Sequence, residues 1–218
     1  MPYNDGKTIE TEKPMIPFER LSFEHKPEID AMLAHASHRG CAFSFANLYI
    51  WGRQYAARVG EDLLLFSHFG GKTMYPYPVC PGDPRPAIEL LMADARERGI
   101  PFRLTGLNTQ DVEDLQGWYP DRFAFHCGRE GHDYVYAIDD LADLKGRKYQ
   151  KKRNHANRFR AEHPEYSVIP LTSCNMPMAQ HMINDWYVTR MKEDPEGDYM
   201  LENIALAMYM SELVCEAV

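Results

Sequence analysis

Leu144-Lys145-Gly146-Arg147-Lys148-Tyr149-Gln150-Lys151-Lys152-Arg153-Asn154-His155-Ala156-Asn157-Arg158-Phe159 is the stretch in which this chain departs most from its own average. Between Lys145 and Arg160 there are eight Lys or Arg and no acid, whereas the 218-residue chain holds 24 basic and 32 acidic residues. The rest of the chain therefore carries 16 basic residues against 32 acidic ones, and a local cation block sits in an anionic background. Like charges at helical spacing repel by a few tenths of a kcal/mol per close pair, so such a block calls for an anion to offset it.

The stretch has a helical period. Asp139-Asp140-Leu141-Ala142-Asp143-Leu144 reads as a capped helical turn, with Gly146 placed to end it in the left-handed conformation. A second helix is expected from Arg147 until His163-Pro164, because the residue before a proline is pushed out of the α region. On it Arg147, Lys151, Asn154 and Arg158 fall on one polar stripe, while Tyr149, Ala156 and Phe159 lie half a turn away and are expected to dock on a core. A merely solvated helix face mixes both signs of charge, and this one does not. Arg supplies forked hydrogen bonds and Lys a point charge, a combination suited to phosphate. The phosphate-binding candidates are Arg147, Lys148, Lys151, Lys152, Arg153, Asn154, Asn157 and Arg158. Spacing alone does not choose among nucleic acid, a phospholipid head group and a nucleotide cofactor.

Outward from this stretch, the composition describes a folded chain: 44% of residues are hydrophobic and 12% aromatic. A net charge of −8 opposes coating by nucleic acid over the whole surface, so polyanion contact has to be local. Apolar runs such as Phe45 to Trp51 are far shorter than the roughly 20 residues a bilayer span needs, and no signal peptide is visible. The five cysteines are widely spaced and odd in number, which fits reduced thiols and a cytoplasmic location.

Residues 1–14 read as a disordered lead-in, and 15–138 as a first module of the α+β (mixed α/β) class. Its expected elements are a helix at 27–38, a core-facing aromatic segment at 43–51 and three antiparallel strands at 55–59, 63–67 and 73–78. An amphipathic helix at 84–99, a strand at 102–105, a short helix at 109–117 and strands at 123–127 and 134–138 follow. Residues 139–218 hold the basic helix, a strand at 166–171, a helix at 176–192 with Met182 and Trp186 inside, a loop at 194–198 and a helix from Leu201. An apolar periodic helix with no stop signal closes the sequence, so this second module is expected to be incomplete.

Nucleophile motifs are missing, and Gly70-Gly71-Lys72-Thr73 lacks the first glycine of a phosphate loop. His126, Cys127 and His132 make no recognised ligand spacing, so no metal is expected. Alternating Tyr134 and Tyr136 read as strand packing residues.

The segment from Asp140 to Phe159, with Leu144, Gly146, Lys148, Arg153, Asn157 and Arg158 at the matching positions, resembles the signature helix of a known family. That family is typified by the soluble C-terminal domain of bacterial phosphatidylglycerol lysyltransferases, the multiple peptide resistance factors, and includes free-standing bacterial proteins. Phe45 to Trp51 resembles the N-terminal half of the free-standing members. The resemblance implies tandem GNAT-type acyltransferase modules, related to the Fem-type peptidoglycan aminoacyltransferases, the second apparently truncated here. It implies transfer of an amino acid from aminoacyl-tRNA to a lipid head group or another hydroxyl or amine acceptor, including a peptide. No separate cofactor is expected, the donor substrate being aminoacyl-tRNA or acyl-CoA. Such an ester is already activated, so positioning and charge stabilisation suffice without a dedicated nucleophile. Catalytic groups are unassigned, and a partner chain completing the second module is expected. Two alternatives stay open: an acyl-CoA-dependent N-acyltransferase, and a non-catalytic module that binds tRNA or an anionic surface.

Overall fold

The computed structural model describes residues 16–195 except 37, 39, 52–54, 70, 71, 130 and 131, together with 203, 204 and 206–210. The expected lead-in, the Gly70-Gly71 turn, most of the 194–198 loop and much of the final helix lie outside the described residues. Two compact units divide the chain, Met1–Ala124 and Phe125–Val218, against a sequence-based boundary drawn at 138/139.

The first unit is α+β. Strands β1 (Glu19–Arg20), β2 (Tyr55–Val59), β3 (Asp62–Phe69), β4 (Lys72–Pro76) and β5 (Leu104–Thr105) form one sheet in that order. Short turns permit only antiparallel return, and β2 to β4 pair that way, with Ala57 opposite Leu64 and Ser67 opposite Met74. The exception is β5. It joins β4 in parallel, Tyr75 opposite Leu104, because helix α3 (Arg85–Glu97) carries the chain back across the sheet.

Helix α3 follows its expected apolar period. Ala87, Ile88, Leu91 and Ala95 are buried on one face, and Ala87, Leu91 and Ala95 form one core cluster with Ile16, Ala57, Leu64 and Tyr75. Burying a Leu or Ile side chain is worth about 1.5–3 kcal/mol, so this face alone anchors the helix. Earlier in the chain, α1 (Lys26–Leu33) buries Ile29. The aromatic run forms α2 (Phe45–Ile50), with Ser44 accepting from the Asn47 amide at its start and Phe45, Leu48 and Ile50 turned inward. Helix α4 (Thr109–Trp118) begins with a reciprocal cap between Asn108 and Asp111 and closes a second cluster of Tyr77, Ile88, Leu115 and Tyr119.

One polar residue shares the inner face of α3. Asp94 is buried, and its carboxylate accepts from the Ile16 amide at 3.2 Å, the Tyr75 hydroxyl at 2.7 Å and Arg98 Nε at 2.6 Å. Arg98 also donates to the Ile16 carbonyl, and its guanidinium lies 5.1 Å from the centroid of the Phe66 ring. Burial, and then the hydrogen bond to Asp94, push the Tyr75 hydroxyl well above its ordinary pKa, while Asp94 raises that of Arg98. One carboxylate thereby ties the incoming chain, the centre of the sheet and the end of α3 together.

The second unit contains helices α5 (Ile138–Asp143), α6 (Gln150–Glu162) and α7 (Met176–Glu193), with residues 203, 204 and 206–210 also helical. No helix among the described residues is long and apolar enough to cross a membrane. The strands expected at 123–127, 134–138 and 166–171 are not formed; Ile138 instead opens α5. Their β-branched and aromatic residues lack the half-buried pleated surface on which strand preference depends: Val135 is 92% exposed and Val168 89% exposed. Helix α7 is turned from its expected orientation. Ile183 and Tyr187 point inward, while Met182 and Trp186 are exposed, Trp186 standing edge-on to Tyr187 beneath the Arg190 guanidinium.

Replacing Asp94 by Ala leaves a buried hydroxyl and a half-buried guanidinium without their acceptor. The expected loss is about 3 kcal/mol of stability, read as a lower urea midpoint.

Candidate functional site

The basic run begins at a turn whose backbone is unusual. Leu144, following α5, is the left-handed residue there, at φ 50° and ψ 33°, and its amide donates to the Asp140 carbonyl at 3.0 Å. Gly146 does not end the helix as expected. It sits two residues later at φ 86° and ψ 172°, a region essentially closed to residues with a Cβ. The chain then makes a 3-10 turn, Arg147–Tyr149, before the α-helix proper starts at Gln150. His163, ahead of Pro164, closes it as expected.

This reversal brings α5 carboxylates onto the basic run. Lys148 Nζ lies 2.9 Å from Asp140 Oδ2, which also accepts from the Tyr149 hydroxyl at 3.0 Å. Lys145 pairs with Asp143 at 2.6 Å. Arg153 reaches back from α6 to donate to the carbonyls of Leu144 and Gly146, so its guanidinium braces the turn. Lys148, and then Tyr149, hold the Asp140 carboxyl below its ordinary value, and Asp140 raises the Lys148 ammonium in return.

The candidate residues thus fall into two groups. Lys148 and Arg153 are engaged within the unit, and Asn157 Oδ1 accepts from Arg160 at 3.2 Å. Arg147, Lys151, Asn154 and Arg158 are all exposed. Arg158 is 3.9 Å from Glu162, a long and solvated pairing worth under about 1 kcal/mol. Because Arg147 lies on the tighter 3-10 turn, the regular stripe is Lys151, Asn154 and Arg158, with Arg147 just before it. Lys152 projects over the Tyr136 ring, 5.5 Å from its centroid. On the opposite side Tyr149 is buried and Ala156 half-buried. Phe159 is half exposed, packing its ring on His163 and Tyr166.

What the sequence left out is the folding back of α5. A count of acids inside the run misses Asp140, which stands eight residues before Lys148 in the chain and beside it in space. No local signal marked it, because the left-handed residue is Leu144, of a type that rarely takes that conformation, and the sharp reversal there brings the preceding Asp residues alongside the cations.

The first unit encloses a second ionisable pair besides Asp94 and Arg98. His38 Nε2 lies 2.7 Å from Asp111 Oδ2, and both side chains are almost fully enclosed, with the imidazole ring 4.6 Å from Phe43. A cavity of about 320 Å³ opens over Ile29, Met32, Ala57 and Leu63, with Glu28 and Arg58 paired at 2.7 Å on its lining. Cys127 Sγ and His132 Nε2 are 3.3 Å apart, and no cluster of three metal-ligating side chains occurs among the described residues.

The family model for the C-terminal part of phosphatidylglycerol lysyltransferase matches residues 33–208. The chain belongs to this family. The matched segment takes in strands β2 to β5 of the first unit and the whole basic helix of the second. A crystal structure of a conserved protein of unknown function from Bacteroides thetaiotaomicron VPI-5482 is similar, with a TM-score of 0.76 and 30% identity over 90% of this chain and 67% of that one. No curated protein matches the chain. As a member of the lysyltransferase C-terminal family, the protein carries a transferase-related domain.

Two outcomes test the turn. Gly146→Ala puts a Cβ where nothing lies within 4 Å, so its cost is backbone strain alone, about 1–3 kcal/mol in the unfolding of this unit. Asp140, whose folded pKa lies below the ordinary 3.8, adds stability that is present above pH 3.8 and is lost as pH falls through the lower folded value. Asp140→Asn should therefore flatten the acid limb of a melting-temperature profile and leave the neutral region parallel to wild type.

Proposed function

We propose that this protein is an aminoacyl or acyl transferase of the GNAT type, holding the phosphates of an aminoacyl-tRNA donor on the exposed face of α6. The observation that carries the reading is the separation of cations within one basic run. Lys148 and Arg153 are consumed in fixing the turn, while Arg147, Lys151, Asn154 and Arg158 stay in solvent with no acid buried among them. Glu162 offsets Arg158 only weakly from 3.9 Å, so like charges on one stripe still repel, and phosphates offset that repulsion. Family membership supports a transferase, and in this reading the acceptor is a lipid head group or another hydroxyl or amine. The acceptor oxygen or nitrogen attacks the ester carbonyl, and the terminal hydroxyl of the tRNA leaves with the proton the acceptor gives up. Since the ester is activated beforehand, the main demand on the protein is placement of two substrates.

Salt titration tests the phosphate contact. For about four phosphates, log affinity for tRNA should fall against log salt with a slope near −3, at roughly −0.7 to −0.9 per contact. Replacing Arg147, Lys151 and Arg158 together by Ala should flatten that slope by about 2–3. An unchanged slope would remove the stripe from the site.

A further inference from the structure

Beside the basic helix stands a set of aromatic rings that packing does not explain. Tyr134 and Tyr136 are two residues apart in a stretch without regular structure, yet their rings are nearly parallel, 15° apart, with centroids separated by 6.4 Å. Tyr134 is 84% exposed and Tyr136 39% exposed. The Tyr136 ring in turn lies 6.4 Å from that of Tyr149, which is buried at the foot of α6. Lys152 Nζ stands 5.5 Å from the Tyr136 centroid, and Lys148 Nζ 4.8 Å from that of Tyr149. A graded row of rings therefore runs from the interior to solvent, flanked by ammonium groups of the basic helix.

We propose that Tyr134 and Tyr136 form a stacking platform for unpaired nucleobases, placed so that a phosphate joining those bases reaches Lys152. The inference rests on the phosphate-binding reading above and adds to it the form of the donor: a polynucleotide with a single-stranded end. Unpaired nucleotides present two things at once, a π-face to each base and a charge at each linkage, and exposed rings beside cations answer both. An ordinary core tyrosine would not leave its ring open to water at the outer end of the row. A duplex alone has no free base face, so the platform discriminates an overhang from a blunt end. A bare phosphate has no use for it.

The test uses the whole chain and a fluorescein-labelled RNA hairpin, either blunt or carrying a short unpaired 3′ overhang, followed by anisotropy at fixed salt. Wild type is expected to prefer the overhang. Tyr134→Ala should weaken overhang binding by about 5- to 100-fold while leaving blunt binding and the salt slope as they were. Tyr134→Phe, which keeps the ring, should retain the preference. The high exposure of Tyr134 makes these variants neutral for folding, which a melting curve verifies. Equal affinity of wild type for both hairpins would overturn the platform, as would equal weakening of both by Tyr134→Ala. Phosphatidylglycerol vesicles form the remaining arm. If Tyr134→Ala abolishes vesicle binding and spares the hairpins, the rings are a membrane anchor together with exposed Val135 and Ile138, and the proposal falls. Failure of the platform with a slope still flattened by the three charge substitutions leaves phosphate binding standing; a slope they do not alter removes the stripe independently of the tyrosines.

Discussion

The contact between the Asp140 carboxylate and the pair Lys148 and Tyr149 governs the second unit. It forms only because the chain turns back at Leu144 and Gly146, in backbone conformations that L side chains disfavour. That turn would not persist unsupported, and its two carbonyls are held by Arg153 from the following helix. Strain, salt bridge and brace are thus one arrangement. Its result is a division of the cations: Lys145, Lys148 and Arg153 have partners at the turn, while Arg147 and Lys151 stand exposed on the basic run.

The first unit solves a different problem. Its core is assembled from an antiparallel meander and one amphipathic helix, with the buried Asp94 carboxylate satisfied three times over. Removing any one donor to Asp94 leaves the others in place, whereas removing the acceptor strands all of them. The His38 and Asp111 pair is similarly enclosed, fixing the region before α2 to the start of α4. These internal ionisable groups are committed to the fold. The exposed charge of the basic helix is not, and the family match to a transferase domain spans both kinds of architecture.

Much of the first unit was legible because its signals are local and repeated. The period of Ile88, Leu91 and Ala95 placed α3, and turn residues between alternating runs placed β2 to β4. The parallel docking of β5 was not visible, since nothing within Leu104 and Thr105 specifies a neighbour. Three expected strands failed for the same reason: Tyr134, Val135, Val168 and Ile169 have the right side chains, but a strand needs a second backbone to pair with. On α7 apolar residues occur all round the helix, so the expected inward face of Met182 and Trp186 is not the one that packs, and Ile183 and Tyr187 turn in instead. At the candidate site the stripe could be read from spacing. The partnering of Lys148 and Arg153 could not, because it depends on a reversal outside the helix. The tyrosines were read as packing because alternation suggested a strand, and the missing strand is what leaves their rings open.

The mixed direction of the sheet also bears on how the first unit assembles. Pairing of β2 with β3 and of β3 with β4 closes only tight reversals, so these hairpins zip at small cost in chain entropy. The two edge strands close longer loops, Glu19 meeting Ala56 across 37 residues of chain and Tyr75 meeting Leu104 across 29. The edges of this sheet therefore carry most of its closure entropy, and they depend on the helices that lead the chain to them.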